Sequence, residues 1–181
     1  MFRDVSVGKT LRDAMTSHGI ALVSDFDIVE VTAHSVVGAD ARTIDCDLMM
    51  IIPPFVGPSP VVHAAPTDIE GYVRVDQTMC VAEAENMYAA GDCVSLSGPK
   101  MGHMSVRQAE VAAENVADRI NGRAASATYQ HELLSVIDAD SADTMLLHKD
   151  LTTEAPATIK QGRFWAWAKR GQEELWLKRH A

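Results

Sequence analysis

The stretch 87–122 constrains this chain more than any other. A short apolar segment, Met87-Tyr88-Ala89-Ala90, runs into Gly91-Asp92, and after the loop Ser97-Gly98-Pro99-Lys100-Met101-Gly102-His103 comes a long helical pattern over 106–120. A strand that ends in Gly-Asp places a carboxylate where open α/β sheets bind their ligands, at the carboxyl ends of strands. Gly91 removes the Cβ that would block backbone approach, and Asp92 can accept hydrogen bonds from hydroxyl groups. Alone, a Gly-Asp pair is an ordinary turn, because short motifs recur by chance. The helix that follows lifts it above that level. Ser105-Val106-Arg107-Gln108 has the spacing of a capping box, and Asn121-Gly122 supplies a left-handed stop. The apolar stripe Val106, Ala109, Ala113, Val116 and Ile120 steps by three and four, so this face is predicted to lie against a sheet or a cofactor.

The rest of the chain alternates short strands with helices. Ser6 is placed to cap a helix over 6–18 that Gly19 stops. Strands are predicted at 20–24, 26–31, 35–38 and 42–46, the last two separated by the Gly38-Ala39-Asp40 turn, and then at 48–52, which is apolar throughout. Pro53-Pro54 ends that strand, and Gly57, Pro58 and Pro60 keep the stretch to Pro66 extended, the best candidate for a crossing between domains. Further strands are expected at 72–75, 87–90, 134–137 and 145–148, with a final amphipathic helix over 163–179 that Gly171 interrupts. There is no internal repeat and no low-complexity tract.

Composition narrows the functions. A chain of 181 residues can bury roughly 70% of its unfolded surface, enough for one core or two small ones. A formal charge of -9 and a pI near 5.1 argue against nucleic acid, whose binding needs a basic face to displace counterions. Cys46, Cys80 and Cys93 stand far from any CxxC or zinc spacing, and their odd number argues against a disulfide framework. They read best as small buried side chains in a reducing compartment. No apolar run suffices to span a bilayer and no secretory segment opens the chain, so the expected location is cytoplasmic, or peripheral on the cytoplasmic face of a membrane. His18, His34, His63, His131, His148 and His180 show no metal-ligand spacing. Gly8-Lys9-Thr10 lacks the upstream glycine of a phosphate-binding P-loop.

The order Gly91-Asp92, a Gly-Pro-Lys-x-Gly loop (Gly98–Gly102), and the helix Gln108-Ala109-x-x-Ala112-Ala113-Glu114-Asn115 resembles the second FAD signature of pyridine-nucleotide-type flavoproteins. It is most similar to sulfide:quinone reductases, flavocytochrome c sulfide dehydrogenases and type II NADH dehydrogenases. The resemblance is specific over 71–122 and loose elsewhere. It implies an α/β chain with part of a two-dinucleotide-binding-domain, Rossmann-like flavoprotein fold and a C-terminal α+β extension. Residues 1–54 would be the remnant of a nicotinamide-type domain, 55–122 the C-terminal part of an FAD-binding domain, and 123–181 the extension.

In that family the aspartate matching Asp92 hydrogen-bonds the flavin ribitol, and the helix N-terminus points at the flavin ring. Cofactor-binding positions are thus implied for Gly91, Asp92, Lys100, Gly102, His103, Met104 and Ser105. The positive end of a helix stabilises charge on a reduced flavin. Lys100 and His103 would be electrostatic or proton-transfer groups beside a quinone; the alternative is that they are solvated loop residues. These residues contain no GxGxxG turn, so the adenine and pyrophosphate of FAD have no such site in this chain.

Sulfide-oxidising members carry a redox cysteine in the strand after the long helix. Ser135-Val136-Ile137-Asp138 stands at that place, and a hydroxyl forms no persulfide. Over 159–181, Lys160, Arg163, Lys169, Arg170, Lys178 and Arg179 face only Glu173 and Glu174, and Trp165, Trp167 and Trp176 lie there too. Such a basic aromatic helix suits a lipid interface, as in the family's monotopic quinone reducers, and suits equally a helix packed on a core.

Two readings follow. In the first, the chain is part of an FAD-dependent oxidoreductase passing electrons to a quinone; in the second, it is a binding module that retains the fold without redox activity. Exposed core surface in either case predicts self-association.

Overall fold

The computed structural model describes residues 5–138 and 143–180. They divide into two compact units, one built from the start of the chain to Gly8 together with everything from Val56 onward, the other from Lys9–Phe55. Helix α1 (Val5–Ser17) runs through the division. Ser6 therefore lies within the helix rather than at its cap. Gly19 stops it as expected: with φ +71 it lets its own N–H reach Thr16 O (3.0 Å) and the Ile20 N–H reach Met15 O (2.8 Å), the double bond of a Schellman ending.

In the smaller unit, β1 (Ile28–Val31), β2 (Ser35–Gly38) and β3 (Thr43–Asp45) form an antiparallel meander in the order β1-β2-β3. The Gly38 turn closes through Ala41, whose φ is +63, and the Arg42 guanidinium covers the Phe26 ring at 5.2 Å. The strands expected at 20–24 and 48–52 do not form. Neither segment has a ladder partner among the described residues, and a strand exists only by pairing. Their apolar side chains consequently stand in the open, Leu48 at 94% and Met50 at 86% exposure.

The larger unit holds the main core: Tyr72, Val73, Met79, Val81, Val94, Met104, Leu133, Met145, Leu147 and Ala166 are all buried. Here too, 72–75 and 87–90 make isolated bridges rather than strands, including one parallel bridge between Val73 and Val94. After the single turn α2 (Ser59–Val62), long helix α3 (Gly102–Ile120) leads to an antiparallel sheet of β4 (Glu132–Ile137), β5 (Met145–Asp150) and β6 (Thr158–Gln161), closed by α4 (Arg163–His180). Helix α4 is unbroken. Gly171 costs it about 1 kcal/mol relative to alanine, too little to end a helix of this length.

The proline-rich stretch is tied down at Gly57. Its N–H donates to Glu70 O at 2.8 Å, and a Cβ built there would lie 1.8 Å from the Gly71 carbonyl oxygen.

Candidate functional site

Helix α3 begins four residues before the expected start, at Gly102, and its cap residue Met101 offers no side-chain acceptor. The capping box is therefore not used. Ser105 lies inside the first turn, where its hydroxyl donates to the Asp92 carboxylate at 3.2 Å. Gln108, 4% exposed, turns inward instead, and its Oε1 accepts the Gly91 N–H at 2.7 Å. Gly91 holds φ +91, a conformation open to glycine and strained for other residues. The Gly-Asp turn is thus fastened to α3 at two points.

The orientation of α3 reverses the sequence expectation. Its buried residues are Met104, Gln108, Asn115 and Asp118, while Val106, Ala109, Ala113, Val116 and Ile120 all face outward. Asn115 is completely buried and uses every hydrogen-bonding position it has. Its Nδ2 donates to Thr78 O (3.0 Å) and Ala127 O (2.8 Å), and its Oδ1 accepts from the N–H groups of Ser126 (2.9 Å) and Ala127 (3.0 Å). One turn on, Asp118 accepts from Arg123 Nε (2.8 Å) and Ser126 Oγ (2.9 Å), and these bonds hold its carboxyl below the usual carboxylate range. The stop at Asn121-Gly122 is as predicted: Gly122 has φ +70, its N–H reaches Arg119 O, and the Arg123 N–H reaches Asp118 O.

At the other end of α3 lies a shallow cleft of about 10 Å³, room for one water, open along its rim. Five of the residues singled out in the sequence line it: Gly91, Asp92, Lys100, Met104 and Ser105. Gly102 and His103 belong to the first turn of α3 but not to the cleft wall. Lys100 spends its ammonium on Val94 O (2.6 Å) and Leu96 O (3.3 Å) and sits 4.3 Å from the centre of the Tyr72 ring. Burial lowers its pKa, partly opposed by the carboxylates of Asp92 and Asp68.

His103 lies near Arg107 of its own helix and Glu132 of β4. Burial first, then the nearby Arg107, lower its pKa, and its Nε2 is buried without a hydrogen-bond partner among the described residues. Arg107 donates to Glu132 at 2.8 Å, and the other Glu132 oxygen meets His148 Nε2 at 2.8 Å. The His148 bond is the main reason the Glu132 carboxyl titrates lower than usual.

Gln108 and His131 are cleft residues that the sequence reading did not select. Gln108 stood in the recognised helix motif, so the motif was the signal. His131 follows the helix by a loop and had no local signal. The three cysteines are free and half-buried. Burial raises the pKa of Cys80, and Cys93 Sγ points to Ala90 O at 3.4 Å. Among the described residues no group of three or more acidic, histidine or cysteine side chains could hold a metal ion, and no helix is long and apolar enough to cross a membrane.

Comparison with known proteins places the chain in a family. The family model of pyridine nucleotide-disulphide oxidoreductase matches residues 2–115, and the chain belongs to that family. Ferroptosis suppressor protein 1 of Xenopus laevis is 26% identical over 131 residues, covering 65% of this chain and 35% of that protein. The sulfide:quinone oxidoreductase of Aquifex aeolicus superposes with a TM-score of 0.81 at 16% identity, over 97% of this chain and 45% of that one. An FAD-dependent pyridine nucleotide-disulphide oxidoreductase from Desulfovibrio vulgaris gives 0.52 at 17% identity, over 82% of this chain and 46% of that one. The fold is thus α/β, part of the Rossmann-like flavoprotein architecture. The chain spans about a third of the curated relative and under half of these two solved structures.

Proposed function

We propose that this chain supplies the ribitol and ring end of an FAD site in an oxidoreductase that passes electrons to a quinone. The observation that carries the reading is the Gly91-Asp92 turn, joined by Gln108 and Ser105 to the uncapped N-terminus of α3. The fit is partial, and its two parts have different causes. Asp92 is an exposed carboxylate able to accept hydroxyl hydrogen bonds, Gly91 has no side chain to block approach, and the leading N–H groups of α3 have no side-chain acceptor. The phosphate end has no glycine-rich turn among these residues.

FAD would supply two-electron chemistry; the chain's own residues would bind, orient and stabilise negative charge at the ring through the positive helix end. Ser135 lies in the middle of β4, paired with Leu147, and offers no thiol, so a donor other than sulfide by the cysteine route fits best. Phe164, Trp167 and Trp176 of α4 are exposed beside Lys169 and Arg170, a composition suited to the lipid interface from which a quinone would come.

Calorimetric titration tests the reading. FAD should bind this chain at least a few hundredfold more weakly than it binds an intact family member, a loss of about 3.5 kcal/mol that several missing phosphate hydrogen bonds readily account for. Riboflavin, which has no phosphate, should bind within about threefold of FAD, roughly 0.7 kcal/mol. Asp92→Ala should weaken both. Binding indifferent to Asp92 removes that carboxylate from the site, and a strong preference for FAD over riboflavin means that the phosphate end is bound after all.

A further inference from the structure

We infer that Ser105 is a positioning residue: its hydroxyl holds one oxygen of the Asp92 carboxylate and so fixes the direction in which the other is offered to a ligand hydroxyl. This rests on the flavin reading above and divides the labour between two of its side chains, one that binds and one that aims. Asp92 is exposed at the rim of the cleft, within reach of a ligand that stays outside it. Its main chain is fixed from both sides. The Gly91 N–H is held by Gln108 at 2.7 Å, the Gly91 carbonyl accepts the Val94 N–H at 3.2 Å, and the Cys93 carbonyl accepts the Val73 N–H at 2.8 Å. None of these bonds reaches the carboxylate. Its one hydrogen-bond donor among the described residues is the Ser105 hydroxyl, 3.2 Å from Oδ1.

Ser105 has a single hydroxyl proton and two acceptors near it, Asp92 Oδ1 and, at 3.3 Å, the carbonyl oxygen of Met101. That carbonyl already accepts the N–H groups of Met104 (3.0 Å) and Ser105 (3.1 Å), which occupy both of its lone pairs. A hydrogen bond to a carboxylate is roughly twice as strong as one between neutral groups, so the proton goes to Asp92. The serine itself is well placed to aim. It rides on the first turn of α3 and lies beside Gly91, its Oγ 3.8 Å from where a Cβ on that glycine would stand. An aspartate without such a donor turns among its staggered rotamers, and a ligand that needs one of them binds more weakly in proportion to the time spent in the others. With Oδ1 held, the binding-competent rotamer is populated before the ligand arrives.

Riboflavin is the probe, since it brings the ribityl hydroxyls and dispenses with the phosphate end. Its fluorescence is titrated with this chain, Ser105→Ala, Asp92→Ala, the double variant and Ser105→Thr. Ser105→Ala, which favours the helix, should weaken binding about fivefold, or about 1 kcal/mol. Asp92→Ala should weaken it about tenfold or more. In the Asp92→Ala background, Ser105→Ala should change the affinity by less than about 1.5-fold, because nothing is left to aim. Ser105→Thr keeps the hydroxyl and should bind within about twofold of the parent. A loss on Ser105→Ala that persists without Asp92 would be a structural one and overturns the inference, as does a Ser105→Ala chain that binds like the parent. In both cases the flavin reading stands as long as Asp92→Ala weakens binding. If Asp92→Ala binds as the parent does, or the parent does not bind riboflavin, both fall.

Discussion

The two ends of α3 are built to opposite rules. At the C-terminal end, Asn115 and Asp118 are saturated with hydrogen bonds to residues 78 and 123–127, and the Gly122 ending satisfies the last carbonyls. At the N-terminal end, the cap is missing, and the three buried side-chain atoms that lack partners among the described residues belong to His103, in the first turn, and to Tyr129 and His131, in the segment that leads into β4. Satisfied side-chain hydrogen bonds are concentrated at the end away from the cleft. Unused hydrogen-bonding capacity is concentrated where the cleft opens. One helix thus separates the stabilising task from the recognising one along its length.

The sharpest way to break this comparison is at Asn115. Asn115→Leu removes four hydrogen bonds at once and leaves backbone groups of Thr78, Ser126 and Ala127 without partners, so urea denaturation should show a loss of about 3 kcal/mol or more. A loss below about 1 kcal/mol would mean that the saturated end is not the stabilising one.

Acid should reach the same end next. The carboxyl of Asp118 is lowered in the folded chain, so its contribution is present in full above the unfolded value near 4 and is lost as pH falls through the lower folded value. The urea midpoint should therefore decline from just above pH 4 downward, and Asp118→Asn should flatten that decline while lowering the midpoint at neutral pH.

The smallest effect is expected at the open end. Gln108→Ala leaves one N–H, that of Gly91, without its acceptor and should cost about 1–2 kcal/mol. Hydrogen exchange locates it: the Gly91 amide should lose protection while the amides of Ser126 and Ala127, held by Asn115, keep theirs. Equal loss at both ends would show that α3 responds as one body.

Much of this architecture was legible in the sequence where the determinant is local. Gly19 and the Asn121-Gly122 pair end their helices as glycine in the left-handed region must, the meander around Gly38 follows from short apolar runs and a turn, and β4 and β5 follow from their apolar runs. What could not be read depends on distant partners. The segments 20–24 and 48–52 have strand composition but no neighbour to pair with, and the buried face of α3 is polar because Thr78, Gly91 and Ala127 lie across from it. Helical periodicity reports which side is apolar; it does not report which side is covered. The site was legible as far as the motif reached, from Gly91 to Ser105. His131 required the fold.

Gly57 carries a consequence for sequence variation. With the Gly71 carbonyl 1.8 Å from where a Cβ would be, even alanine would force the two chain segments apart. The surrounding prolines bias a chain toward this extended path, but only the hydrogen at position 57 permits the crossing itself. In a collection of homologous sequences the prolines can therefore drift, whereas a side chain at position 57 would mark a chain that routes this passage differently and whose Glu70–Tyr72 turn has moved with it.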